Sequence, residues 1–168
     1  ERAYKLRAAE KWASAGVACL NNDSDWAERL KQASGAGNLI DSFAQTWLRS
    51  RILDHPEEVR TAFGELHAAG SVDAVDVFEG RLGSWGEYVS PGDRTAFAAC
   101  ILLGRDSATF APYRPTLAQT WADRIGEPAG STPRERLVAL LAFCDGLRER
   151  WTLEAPVLRD RLDAQGVG

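Results

Sequence analysis

Apolar positions recur at helical spacing along nearly the whole chain. Ile40, Phe43, Trp47 and Leu48 stand at i, i+3, i+7 and i+8, and Val59, Phe63 and Leu66 repeat the stripe after Asp54-His55-Pro56. Leu137, Leu140, Leu141, Cys144, Leu147 and Trp151 form the longest stripe. Phe97, Cys100, Ile101 and Leu103 make their segment apolar on most of its circumference, which marks it as the central helix of the core. No run alternates with period two, so no sheet is expected.

Local punctuation sharpens the boundaries. Ser90-Pro91, Arg114-Pro115 and Thr132-Pro133 each place proline at a first helical position, where its missing N–H costs nothing, and Ser90 and Thr132 can cap. Thr132 and Glu135 have the spacing of a capping box. Helices are predicted over 2–19, 24–34, 40–53, 56–68, 72–82, 91–103, 115–125, 133–150 and 156–164. Gly83-Ser84-Trp85-Gly86 reads as a turn-rich break between two groups of helices. The expected architecture is all-α, a single bundle of about eight to nine helices. It comprises an N-terminal subregion, 1–77, and a second, 78–168, packed as one domain.

Composition adds limits. A chain of 168 residues with 45% apolar and 26% charged positions can bury a core without staples. No apolar run is long enough to span a bilayer and no basic, apolar leader is present, so a cytoplasmic location without membrane contact is expected. The sequence lacks Met even at position 1, which suggests a piece of a longer protein. Cys19, Cys100 and Cys144 are far apart in apolar helical contexts and read as buried free thiols; with only His55 and His67 besides, no zinc spacing exists.

Candidate chemistry is sparse. There is no phosphate loop, dinucleotide fingerprint, HExxH or GxSxG, so no enzyme and no cofactor are expected. The acid pairs Asp23/Asp25, Glu57/Glu58 and Asp73/Asp76 lie at helix N-termini, where carboxylates favour the macrodipole. His67 falls in a last helical turn, where a cation is favoured.

The segment least explained by folding alone is Phe110-Ala111-Pro112-Tyr113-Arg114-Pro115-Thr116, with Arg94 and Tyr88. Two prolines hold Tyr113-Arg114 extended, and a guanidinium fork beside a phenol at a helix N-terminus could grip a phosphate or carboxylate. Alternatively, Tyr113 plugs the core and Arg114 pairs with Asp93 or Asp106. The net charge of −4 argues against coating nucleic acid through bulk charge. Residues 80–124 carry +1 against −5 for the remainder, so any basic face must come from folding.

From about residue 78 the sequence FEGRLGSWGEYVSPGDRTAFAACILLGRDSATFAPYRPTLAQTWADRIGEP, with LRDRLDAQGVG at the end, resembles the helical region preceding the AAA+ motor of McrB-like bacterial proteins, the NTP-driven subunits of modification-dependent restriction and related phage-defence systems. The match rests on Arg94, on Phe110 and Pro112 to Thr116, on Gly126 and Pro128, and on Leu158 to Gln165. The turn usually reads G-Y-P and here is Gly126-Glu127-Pro128, without the aromatic. No phosphate loop occurs up to Gly168, so NTP hydrolysis would belong to a motor elsewhere in the same chain, and residues 1–77 lie outside the match.

The resemblance implies a targeting domain that engages DNA, plain or modified, and works with this motor and a nuclease subunit. Arg94, Arg105 and Arg114 are then the expected phosphate contacts, and Tyr88, Trp85 and Tyr113 the stacking candidates. A protein-interaction or assembly module of the same defence complex is the alternative, favoured by the acidic charge and six Trp.

Overall fold

The computed structural model describes residues 2–85, 89–126 and 130–164, with side chains described over 5–85, 89–124, 126 and 130–150. Among the described residues there are eight α-helices and no strand: α1 Arg2–Asn21, α2 Trp26–Ser34, α3 Ser42–Asp54, α4 Pro56–Ala69, α5 Val75–Ser84, α6 Pro91–Arg105, α7 Pro115–Ile125 and α8 Pro133–Ala164. Short 3-10 turns at Ala36–Asn38 and Val72–Ala74 join α2 to α3 and α4 to α5.

The predicted starts are built as the local chemistry requires. Ser90 Oγ accepts from Asp93 N at 3.1 Å at the head of α6. At α8, Glu135 N donates to Thr132 Oγ1 and Thr132 N donates back to Glu135 Oε2, each at 3.1 Å, which is the reciprocal capping box. These bonds hold the Glu135 carboxyl below its usual range, the Ser131 hydroxyl contributing most. Two expectations fail. Instead of helices over 133–150 and 156–164 there is one helix: a proline inside a helix removes one backbone bond and crowds one carbonyl, and need not end it. The break expected at Gly83 begins two residues late, at Trp85, because α5 runs to Ser84.

α1 and α6 organise the core. Every residue from Thr95 to Leu103 is buried, as the apolar circumference of this segment predicted. α1 packs against α6, α2 and α4. The approach is close because glycines face it. A Cβ on Gly104 of α6 would lie 2.5 Å from Ala13 N, and one on Gly64 of α4 would lie 2.9 Å from Leu20 N. Trp12, Leu30, Leu48, Phe63, Phe97 and Leu137 share one continuous core, so both ends of the sequence contribute to it. The α8 stripe fades outward: Leu137 and Leu141 are buried, whereas Leu147 is 49% exposed.

His67 joins this core at the end of α4, 3% exposed, rather than standing free as a cation. Burial, and then the charge of Arg105, hold its imidazole below the usual 6.5. A folded-state value below the unfolded one means that protonation favours unfolding. Its contribution is therefore complete above about pH 6.5 and lost as pH falls below that. Thermal melts at pH 7.5 and 5.5 should show a drop in Tm that is smaller in His67→Leu. Glu79, raised by burial, titrates in the opposite sense, so the comparison with the variant isolates the histidine.

Candidate anion-binding surfaces

The loop that carries the Pro-bracketed dipeptide is placed by its two ends. Phe110 N donates to Asp106 O at the C-terminal end of α6, and Pro115 abuts Gly92 at the N-terminal end. Between them the chain runs extended along α6, which is what Pro112 and Pro115 enforce. Asp106 fixes the start of this run: Oδ1 accepts from Ala108 N at 2.9 Å and Oδ2 from Thr109 Oγ1 at 2.6 Å.

Successive side chains of an extended segment point to opposite sides. Tyr113 turns inward and is 0% exposed, its hydroxyl buried without a partner. It cannot stack on a base, and burial pushes its phenol up. Arg114, N-cap of α7, is half-buried and turned outward. Neither acid named for it pairs with it: Asp93 takes the Ser90 hydroxyl at 2.6 Å, and Asp106 holds its own loop.

The other expected contacts are redistributed. Arg94 reaches across α5, where Nη1 donates to Glu79 O at 3.2 Å and rests against Gly83, in space that a Cβ would fill. Next to it, Thr95 Oγ1 donates to Glu79 Oε1 at 2.5 Å. Arg94 thus clamps α5 to α6 and is half-buried there. Trp85 is 8% exposed and stacks on Trp47 with ring centroids 6.3 Å apart, so it is a core residue rather than a base platform. Arg51 Nη1 donates to Trp85 O at 2.9 Å and closes the end of α5. Arg105 is exposed at the far end of α6, packed over Gly70. Tyr88 lies outside the described residues. The predicted set is therefore not one site.

Two surfaces emerge instead. The first is a cleft of about 440 Å³ between the Ala36–Asn38 turn, the Ala111–Arg114 run, α7 and α8. Leu39, Pro112, Leu117, Trp121 and Leu140 give it apolar walls; Arg114, Lys5 and Asn38 are polar members of its lining. Trp121 is braced edge-on by Phe143 at 4.5 Å. Cys144 also lines this cleft and is only half-buried, unlike Cys19 and Cys100, which are fully buried. Burial raises all three thiols, Cys19 to about 12.

The second surface is a basic face beside it. Arg7 and Lys11 lie one turn apart on α1, and Lys11 borders two adjoining depressions. One is lined also by Arg7, Gly35 and Gly37, the other by Lys31 of α2 and Arg49 and Leu53 of α3. Among the described residues, none of Arg7, Lys11, Lys31 and Arg49 has a carboxylate partner. Elsewhere Arg29, Arg51, Arg60, Arg81 and Arg134 are each paired with an acid, while Arg105, Arg114 and Arg124 likewise have no carboxylate partner among the described residues. Glu28, the acid lining this face, accepts from Gln32 Nε2 at 3.0 Å. Glu10 is exposed on α1, about 100° round the helix from Lys11.

Sequence reasoning missed this face because its cations come from three helices and form no run. The signal available was the location of all three lysines, Lys5, Lys11 and Lys31, within the first 31 residues of an arginine-rich chain. No group of acids, cysteines and histidines among the described residues could hold a metal, and no helix there is long and apolar enough to cross a membrane. Compared with known proteins, the chain matches no family model, no curated protein and no solved structure.

Proposed function

We propose that the chain is a non-catalytic, DNA-engaging targeting domain that grips the phosphate backbone with the face formed by Arg7, Lys11, Lys31 and Arg49. The observation that carries the reading is that four cations without a carboxylate partner among the described residues line two adjoining depressions of a protein whose net charge is −4. Unpaired surface cations repel one another and are relieved by a polyanion, which releases its condensed counterions when they bind. Such contacts position a protein on a duplex and carry no sequence information. The likeness of the second half to the pre-motor region of McrB-like AAA+ proteins supplies the context: restriction or anti-phage defence, a motor in the same chain and a nuclease partner.

Fluorescence anisotropy with a plain duplex between 50 and 200 mM salt tests this. Four phosphate contacts give a log–log slope of about −3.6 and a loss of roughly a hundredfold over that range. Joint replacement of Arg7, Lys11, Lys31 and Arg49 by Gln should flatten the slope and remove binding, whereas Arg94→Ala should leave the slope as it was. A quadruple variant with unchanged affinity and slope would end the proposal.

One observation favours the assembly reading: Phe43 and Leu53 on α3 are 58% and 75% exposed, the second within the basic face. Concentration-dependent self-association by light scattering, together with no DNA retention at 50 mM salt, would favour it over DNA engagement.

A further inference from the structure

We infer that the cleft between α7, α8 and the Ala36–Asn38 turn binds a small organic anion, a molecule with an aliphatic or aromatic body and one carboxylate, sulfonate or phosphate head. Three observations converge on this class. The volume of about 440 Å³ is that of a pocket for a small molecule, and its walls are mostly apolar. Arg114 lines it half-buried, with no acid partner among the described residues, while the acids nearest to it in sequence, Asp106 and Asp123, take hydrogen bonds from Thr109 and Gln119. The described residues lining the cleft include no carboxylate.

Each part of such a ligand has a counterpart. Leu117 is 58% exposed in the cleft, and covering it and Trp121 with an apolar body removes that surface from water. A guanidinium at the border of an apolar wall pays less desolvation than an ammonium and offers a planar fork to an oxyanion. Because Tyr113 is locked into the core and Pro112 and Pro115 bracket the run, Arg114 is held ready and loses little freedom on binding. A cationic amphiphile would meet the like charge of Arg114, and a neutral one would leave Arg114 unanswered. The cleft adjoins the basic face at Gly37 and shares none of its four unpaired cations.

The probe is 8-anilinonaphthalene-1-sulfonate, titrated by its fluorescence and displaced with decanoate, decanol or decyltrimethylammonium. Decanoate should compete at least tenfold better than either of the other two. Arg114→Gln and Leu117→Glu, each checked for folding by circular dichroism, should weaken probe and decanoate at least tenfold. Arg114→Gln should narrow the preference of decanoate over decanol. Saturating decanoate should also slow alkylation of Cys144 by N-ethylmaleimide, read by mass spectrometry, because Cys144 is the accessible thiol of the three. The inference is overturned if the wild type binds no probe, if both variants bind it as the wild type does, or if Cys144 reacts at the same rate with decanoate present. Lys11→Gln combined with Arg49→Gln should leave probe binding intact, so failure of the DNA reading and failure of this one are separable.

Discussion

Tyr113→Ala is expected to cost about 3–5 kcal/mol, while Tyr113→Phe is expected to be neutral or to stabilise by up to about 1 kcal/mol. The ring lies in the core with none of its surface exposed, and truncation leaves a cavity the surrounding helices cannot close. The hydroxyl is different. It is buried without a hydrogen-bond partner, so the folded state carries a desolvation penalty that phenylalanine does not. Urea melts of the two variants check both signs. DNA affinity of Tyr113→Phe should equal that of the wild type; a large loss of binding without a loss of stability would return Tyr113 to the contact surface.

Gly104→Ala should destabilise by about 3 kcal/mol, at the upper end of what overpacking costs, although alanine is the better helix former. The added methyl would sit 2.5 Å from Ala13 N and 2.6 Å from Trp12 C. Both are backbone atoms, so no side chain can swing aside and α1 must move off α6 bodily. Gly146→Ala is the control: its Cβ meets nothing within 4 Å, and replacement on that exposed turn of α8 should stabilise by about 0.5–1 kcal/mol. Midpoints of denaturation for the pair should move in opposite directions.

What could be read from the sequence was what local chemistry writes there. Ser90, Thr132, Glu135 and the three prolines mark helix starts because a cap or a missing N–H acts within one turn, and α6 announced its central place by being apolar all round. The bundle and the absence of strands among the described residues followed from periodicity. Pro156 misled, since a proline can begin a helix or sit within one, and only its surroundings decide.

The sites were harder for a definable reason. Arg94 is occupied by the main-chain carbonyl of Glu79, and a carbonyl has no side-chain signature. Trp85 sits among glycines and a serine, which suggested exposure, yet Trp47 from a helix 38 residues earlier receives its ring. Of the two readings of the Pro-bracketed dipeptide, the structure takes half of each: Tyr113 is the core plug, and Arg114 has no acid partner among the described residues. The basic face could not be seen at all, because Lys11, Lys31 and Arg49 become neighbours only when α1, α2 and α3 assemble.

The dependence of α1 on α6 has a consequence for biosynthesis. At about 5–20 residues per second, a ribosome needs roughly 4–17 s after finishing residue 21 to complete residue 105. Throughout that interval Trp12 and the small residues around it have no α6 to cover them, so the nascent chain presents an uncovered apolar stripe to whatever chaperones stand at the exit tunnel. Slowing translation ahead of α6 should lengthen that exposure and lower the soluble yield.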